Sequence, residues 1–138
     1  MADERIVAGV DGSPSARAAL HWALNQARLT GASLDALIAW EFPLFTVGPV
    51  LLPPEDPETV AGQVLDEEVA QAPQHGVEVR RHVVAGHPEQ ALVDAAEGAQ
   101  LLVVGSRGRG AFAAALLGSV AAYCVQHAPC PVVVVRGV

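Results

Sequence analysis

The chain has 138 residues, 51% hydrophobic and 17% charged, and its fifteen acids against eight bases give a formal charge of −7. This length suits one domain over residues 1–138, able to bury about two-thirds of its unfolded surface, and the chain is too apolar to be disordered. All eight bases are arginine, so neither a basic stripe for nucleic acid or an anionic membrane nor a lysine for Schiff-base or Walker-type chemistry is present.

The elements follow in order. Ile6 to Val10 is a short apolar run ending at the turn pair Asp11-Gly12, which predicts a first strand. Ser13-Pro14 is a helix start, and Ala16, Ala19, Leu20, Ala23, Leu24 and Ala27 recur at helical spacing until Gly31. Leu34 to Trp40 is a second strand. Pro43 to Pro57 holds five prolines and reads as a long loop. Glu58 to Gln74 predicts a helix with Val60, Val64 and Val69 on its apolar face, with Pro73 as an early stop. Val77 to Val84 is a third strand, and Gly86-His87-Pro88 opens a helix with Ala91, Leu92, Ala95 and Ala96 inward. Leu101 to Val104 has the unbroken apolarity of a strand buried on both faces. A glycine loop, a helix near Val120 to His127 and a fifth strand, Pro131 to Arg136, complete the chain.

Strands alternating with helices predict an α/β fold with a mostly parallel sheet, helices on both faces, and ligands beyond the carboxyl ends of the strands. The opening Met1 to Arg5 has no cationic region leading into an apolar core, and no apolar run approaches the roughly 18 residues of a membrane span. Cys124 and Cys130 are too few for a disulfide scaffold and lack C-x-x-C spacing, so packed thiols are expected. The expectation is a cytoplasmic protein without membrane or nucleic-acid contacts.

The fourth strand runs into Val104-Gly105-Ser106-Arg107-Gly108-Arg109-Gly110, and Gly118-Ser119 follows ten residues after Gly108. Glycines let backbone N–H groups approach an anion, and a helix N-terminus favours negative charge. On spacing alone, a plain turn between strand and helix explains the glycines as well as a phosphate cradle does. Likewise Asp11 could cap the first helix, Ser119 the last, and Arg107 and Arg109 could be solvated. The five histidines have no metal-ligand spacing, so no metal site is expected from them.

Gly105-x2-Gly108-x9-Gly118-Ser119 matches every spacing of the nucleotide-binding motif of the universal stress protein family. Ile6 to Ser13, Gly86-His87-Pro88, Leu116 to Val120 and His127 to Val135 resemble its other segments, so the likeness covers nearly the whole chain. The resemblance implies a Rossmann-like five-stranded parallel sheet in order 3-2-1-4-5 and a pocket for ATP, AMP or another adenine nucleotide, with Mg²⁺. It places Asp11 at the ribose or the metal-facing side of the ligand and the Ala39 backbone against the adenine edge, with Gly9, Val10 and Val104 as further site residues. Gly105, Arg107, Gly108, Gly118, Ser119 and Val120 fall around the phosphates. Val10, Ile38 and Ala39 could supply the apolar slot for the base. The family also implies a homodimer through the strand Pro131 to Arg136, which would cover an exposed apolar edge. The expected function is a dimeric, nucleotide-dependent stress-response or signalling module with an unidentified protein partner. No catalytic set is visible, so hydrolysis is expected to be slow or absent. The alternatives are a slow ATPase and a ligand-free dimeric interaction protein, the latter favoured if Trp40 or the 43–57 loop fills the pocket.

Overall fold

In the computed structural model, which describes residues 4–41, 56–107 and 117–137, five strands alternate with four helices. The order is β1 (Arg5–Gly9), α1 (Pro14–Thr30), β2 (Ser33–Trp40), α2 (Pro57–Gln71), β3 (Val79–Ala85), α3 (Pro88–Ala95), β4 (Leu101–Gly105), α4 (Ser119–His127) and β5 (Val132–Val135). All strand pairs are parallel and the sheet order is β3-β2-β1-β4-β5, as expected. Residues 43–55 of the proline-rich stretch, and Gly108 and Arg109, lie outside the described residues.

Strand alternation divides the core in two. Ile6, Ala8, Leu34, Ala36, Ile38 and Val103 face α1 and α2, whereas Val7, Leu37, Leu102 and Val104 face α3 and α4. Helix α1 begins where Ser13 accepts the Ala16 N–H at 3.2 Å ahead of Pro14, and ends at Gly31, whose φ of 75° is left-handed. Its alanines let it lie close to the sheet while Leu20 and Leu24 fill the space between.

Helix α2 departs from the expected face. Its buried residues are Ala61, Leu65, Glu68 and Val69, while Val64 is half-buried and Val60 exposed. The inward stripe runs at intervals of four and three from Ala61, a path obscured in the sequence because it includes a glutamate. Glu68 is buried because Arg17 of α1 donates to both its oxygens, each at 3.0 Å. The helix stops at Gln71, two residues ahead of Pro73. β3 starts at Val79 rather than Val77, after a turn with positive φ at His75 and Gly76. In α3 only Leu92 is buried, with Ala96 just beyond it; Ala91 and Ala95 are half-buried.

β3 and β5 are the sheet edges, and all four β5 valines remain half-exposed. On the α3 face of the sheet, Asp35 accepts from Arg80 at 2.8 Å and lies 3.2 Å from His82 and 3.4 Å from Arg5. Arg5 also donates to the Ala95 carbonyl at 2.8 Å, tying β1 to the end of α3.

Candidate functional site

β1 connects to β2 through α1 on one face, while its other neighbour, β4, is reached through α3 on the opposite face. The chain therefore diverges beyond the carboxyl ends of β1 and β4, the position where open α/β sheets hold ligands. A cleft opens there, with about 530 Å³ of space including its mouth. It is lined by Gly9, Val10 and Asp11 after β1, Leu37 and Ala39 of β2, and Val104, Gly105 and Arg107 after β4. Ala16 of α1, Pro88 and Leu92 of α3, and Val120 of α4 complete it.

One end is apolar. Leu92 forms its floor and reaches β1 because Gly9 has no side chain: a Cβ there would stand 3.0 Å from Leu92 Cδ1. The Leu37 carbonyl accepts from Val10 N–H at 2.8 Å, and β1 pairs with β2 no further than Gly9 opposite Leu37. Two residues on, Ala39 presents its own N–H and C=O to the same side, past the end of β1. This gives the slot a backbone donor and acceptor. Ile38, expected in this slot, instead faces the α1 and α2 core, since neighbouring strand residues point to opposite faces. Trp40 packs on that same far side, away from the cleft. At the rim, His87 Nδ1 lies 3.1 Å from Glu41 Oε2.

The other end is polar. Asp11 Oδ1 accepts the Ser13 N–H at 2.8 Å, so Asp11 shapes the turn while Ser13, not Asp11, caps α1. The Arg107 N–H donates to Ser15 Oγ at 3.2 Å, and the Gly118 N–H donates to the Ser106 carbonyl at 2.7 Å. Both N–H groups are thus engaged within the protein. Gly118 and Ser119 are not part of the cleft wall. Gly118 rather than Ser119 is the N-cap of α4, without a side-chain cap, and Ser119 is its first helical residue with an exposed side chain. The first α4 ladder bond runs from Ala122 N–H to the Gly118 carbonyl, so the N–H groups of Ser119 and Val120 precede the ladder and give this helix end its positive character.

Of the residues singled out in the sequence, Gly9, Val10, Asp11, Ala39, Val104, Gly105, Arg107 and Val120 meet at the cleft. Ala16, Leu37, Pro88 and Leu92 were missed. Pro88 and Leu92 carried a readable signal, four apart on a helix that opens with a glycine turn; Leu37 needed the strand's facing, which an all-apolar run conceals. Among the described residues, no group of three or more His, Cys, Asp and Glu could hold a metal ion, and Asp11 is the one carboxylate in the cleft wall. No described helix is long and apolar enough to cross a membrane.

The universal stress protein family model matches residues 4–136. A universal stress protein of Mycolicibacterium smegmatis is 38% identical over 133 residues, covering 95% of this chain and 45% of that protein; the chain spans about half the length of the curated relatives it matches. The universal stress protein UspA from Lactobacillus plantarum superposes with a TM-score of 0.72 at 26% identity, over 99% of both chains. A universal stress protein solved in complex with cAMP superposes with a TM-score of 0.71 at 27% identity over the full length of both. With its fold, sheet order and glycine spacing in agreement, this chain belongs to the universal stress protein family.

Proposed function

We propose that this chain binds an adenine nucleotide, ATP in the first place, in the cleft between the ends of β1, β2 and β4. The observation that carries the reading is the polarity of that cleft: an apolar slot with the free Ala39 peptide edge at one end, and Asp11, Arg107 and the start of α4 at the other. A purine needs a flat apolar slot with backbone donors and acceptors. Val10, Leu37 and Leu92 supply the slot, and the Ala39 N–H and C=O meet the base edge. Asp11 accepts from the ribose hydroxyls with the oxygen that Ser13 does not hold. The phosphates meet the N–H groups of Ser119 and Val120 and the charge of Arg107. The likeness to a family member solved with cAMP supports an adenine ligand.

A Mg²⁺ ion accompanying ATP would be carried chiefly by the phosphates, since Asp11 alone among the lining residues offers a carboxylate. With no lysine in the chain and no second acid or histidine in the described wall, hydrolysis is slow or absent. The chain acts as a cytoplasmic stress-response module that pairs with a second copy through Pro131 to Arg136, where the half-exposed valines of edge strand β5 favour a cover. Nucleotide occupancy changes the contacts of that dimer with a protein partner.

The test is isothermal titration of nucleotide-stripped protein with Mg-ATP, AMP and cAMP, with the dimer followed by sedimentation. Micromolar binding of at least ATP, and a dimer in solution, are expected. Absence of binding by all three nucleotides overturns the nucleotide reading.

A further inference from the structure

Ser15 lies in the first turn of α1, is buried, and is not part of the cleft wall. Its hydroxyl donates to the Arg107 carbonyl and accepts from the Arg107 N–H at 3.2 Å. Ser13 directs a second hydroxyl to the same carbonyl at 3.4 Å. Two glycines make this seat. A Cβ on Gly105 would stand 2.5 Å from Ser15 Oγ and 2.6 Å from the Ala16 nitrogen; one on Gly137 would stand 2.5 Å from Ser15 Cα and 2.6 Å from its nitrogen. The first turn of α1 is therefore clasped between the end of β4 and the segment following β5. The Ser106 N–H, bonded to the Val135 carbonyl at 2.8 Å, ties β5 to the same point.

We propose that Ser15 is the positioning residue of the phosphate end, holding the Arg107 peptide from behind, and that Gly137, outside the cleft, is the seat that allows it to do so. The inference rests on the nucleotide reading above and adds how its phosphate end is fixed. A hydroxyl can donate and accept from one atom, and Ser15 Oγ holds both polar groups of Arg107 in this way. Arg107 follows β4 and lines the cleft, so the orientation of its backbone sets where its side chain starts. Loss of the Ser15 hydroxyl removes this partner from the Arg107 N–H and leaves the carbonyl with the longer Ser13 contact, so the Arg107 backbone is held less firmly. The Ala39 end of the cleft stands on β2 and does not depend on this contact.

Wild type, Ser15→Ala and Gly137→Ala are each stripped of nucleotide and titrated with ATP and with adenosine, which has the base and ribose but no phosphate. Loss of the serine hydrogen bonds is expected to weaken ATP about three- to tenfold, with adenosine affinity unchanged. Gly137→Ala, whose added methyl meets the Ser15 backbone rather than any part of the cleft, is expected to show the same selective loss. Equal weakening of ATP and adenosine marks Ser15 as merely structural and overturns the proposal, as does an unchanged ratio. Should Ser15→Ala fail to fold, the Gly137→Ala ratio decides: selective loss supports the proposal and a wild-type ratio overturns it. Wild type that binds neither compound removes the nucleotide reading and this inference with it, whereas wild-type binding with an unaltered ratio in the variants removes this inference alone.

Discussion

Replacing Val120 with glutamate separates the charge at the phosphate end from the integrity of the fold. Val120 is the second residue of α4, half-buried, and lines the cleft. The first turn of α4 holds no acid and its N-cap makes no side-chain bond, so a carboxylate there gains about 0.3–1 kcal/mol from the helix dipole. Giving up half a valine's burial costs about 1 kcal/mol. The two nearly cancel, and the melting temperature should move by no more than about 4 °C. The ligand meets a different balance. Two unit charges about 6 Å apart repel by about 3 kcal/mol at an effective dielectric of 20, and physiological salt screens part of this. What survives corresponds to about a tenfold or greater loss of ATP affinity, smaller for AMP and absent for adenosine. The assay is calorimetric titration at two salt concentrations beside Val120→Gln, which has the same shape without the charge. ATP binding to a folded Val120→Glu protein as tightly as to the glutamine variant would refute the placement of phosphates at this helix end.

Leu65 is fully buried and Val60 exposed, so Leu65→Ala should cost about 3 kcal/mol and Val60→Ala less than about 0.5 kcal/mol, read from denaturant midpoints; equal costs would contradict the orientation of α2. Burial opposes the Asp35 carboxylate, but the hydrogen bonds and charges of His82 and Arg80 outweigh it and hold its pKa below the ordinary value. Its contribution is therefore complete above about pH 4 and lost as pH falls through the depressed folded value. Asp35→Asn should lower stability at neutral pH by about 1–2 kcal/mol, since water screens the half-exposed partners, and flatten the acid limb of a stability-pH curve; an unaltered limb would contradict the assignment. Burial pushes the Cys124 thiol up to about 11, so a neutral alkylating reagent should leave it unmodified in the native protein and label it once unfolded, as peptide mass mapping would show.

Legibility followed how far each element depends on its neighbours. Helix α1 could be read almost to the residue because Ser13-Pro14 and Gly31 act locally and its alanine stripe is unbroken. β4 could be read because a strand covered on both faces shows continuous apolarity. The same continuity hid which side chain of β2 enters the cleft: Leu37 and Ile38 are equally apolar, and only the register Gly9 opposite Leu37 sends one to each face. The inward face of α2 was hidden for a complementary reason. Glu68 reads as solvent-facing until Arg17, fifty-one residues earlier, takes both its oxygens, and no local pattern anticipates that pair.

The glycine motif shows the difference most clearly. Its spacing marked the place, but a spacing does not say which N–H groups remain available to a ligand. The Gly118 N–H is taken by the Ser106 carbonyl and the Arg107 N–H by Ser15, so one glycine of the motif and a residue within it serve to hold the neighbouring segments in place. Among the described residues, Ser119 and Val120 offer N–H groups that stand before the first α4 ladder bond and owe their availability to the start of a helix rather than to side-chain identity. Substituting Gly118 would disturb its bond to the Ser106 carbonyl, whereas a charge at Val120 would act on the phosphate of the proposed ligand, which makes the latter the cleaner probe of the proposal.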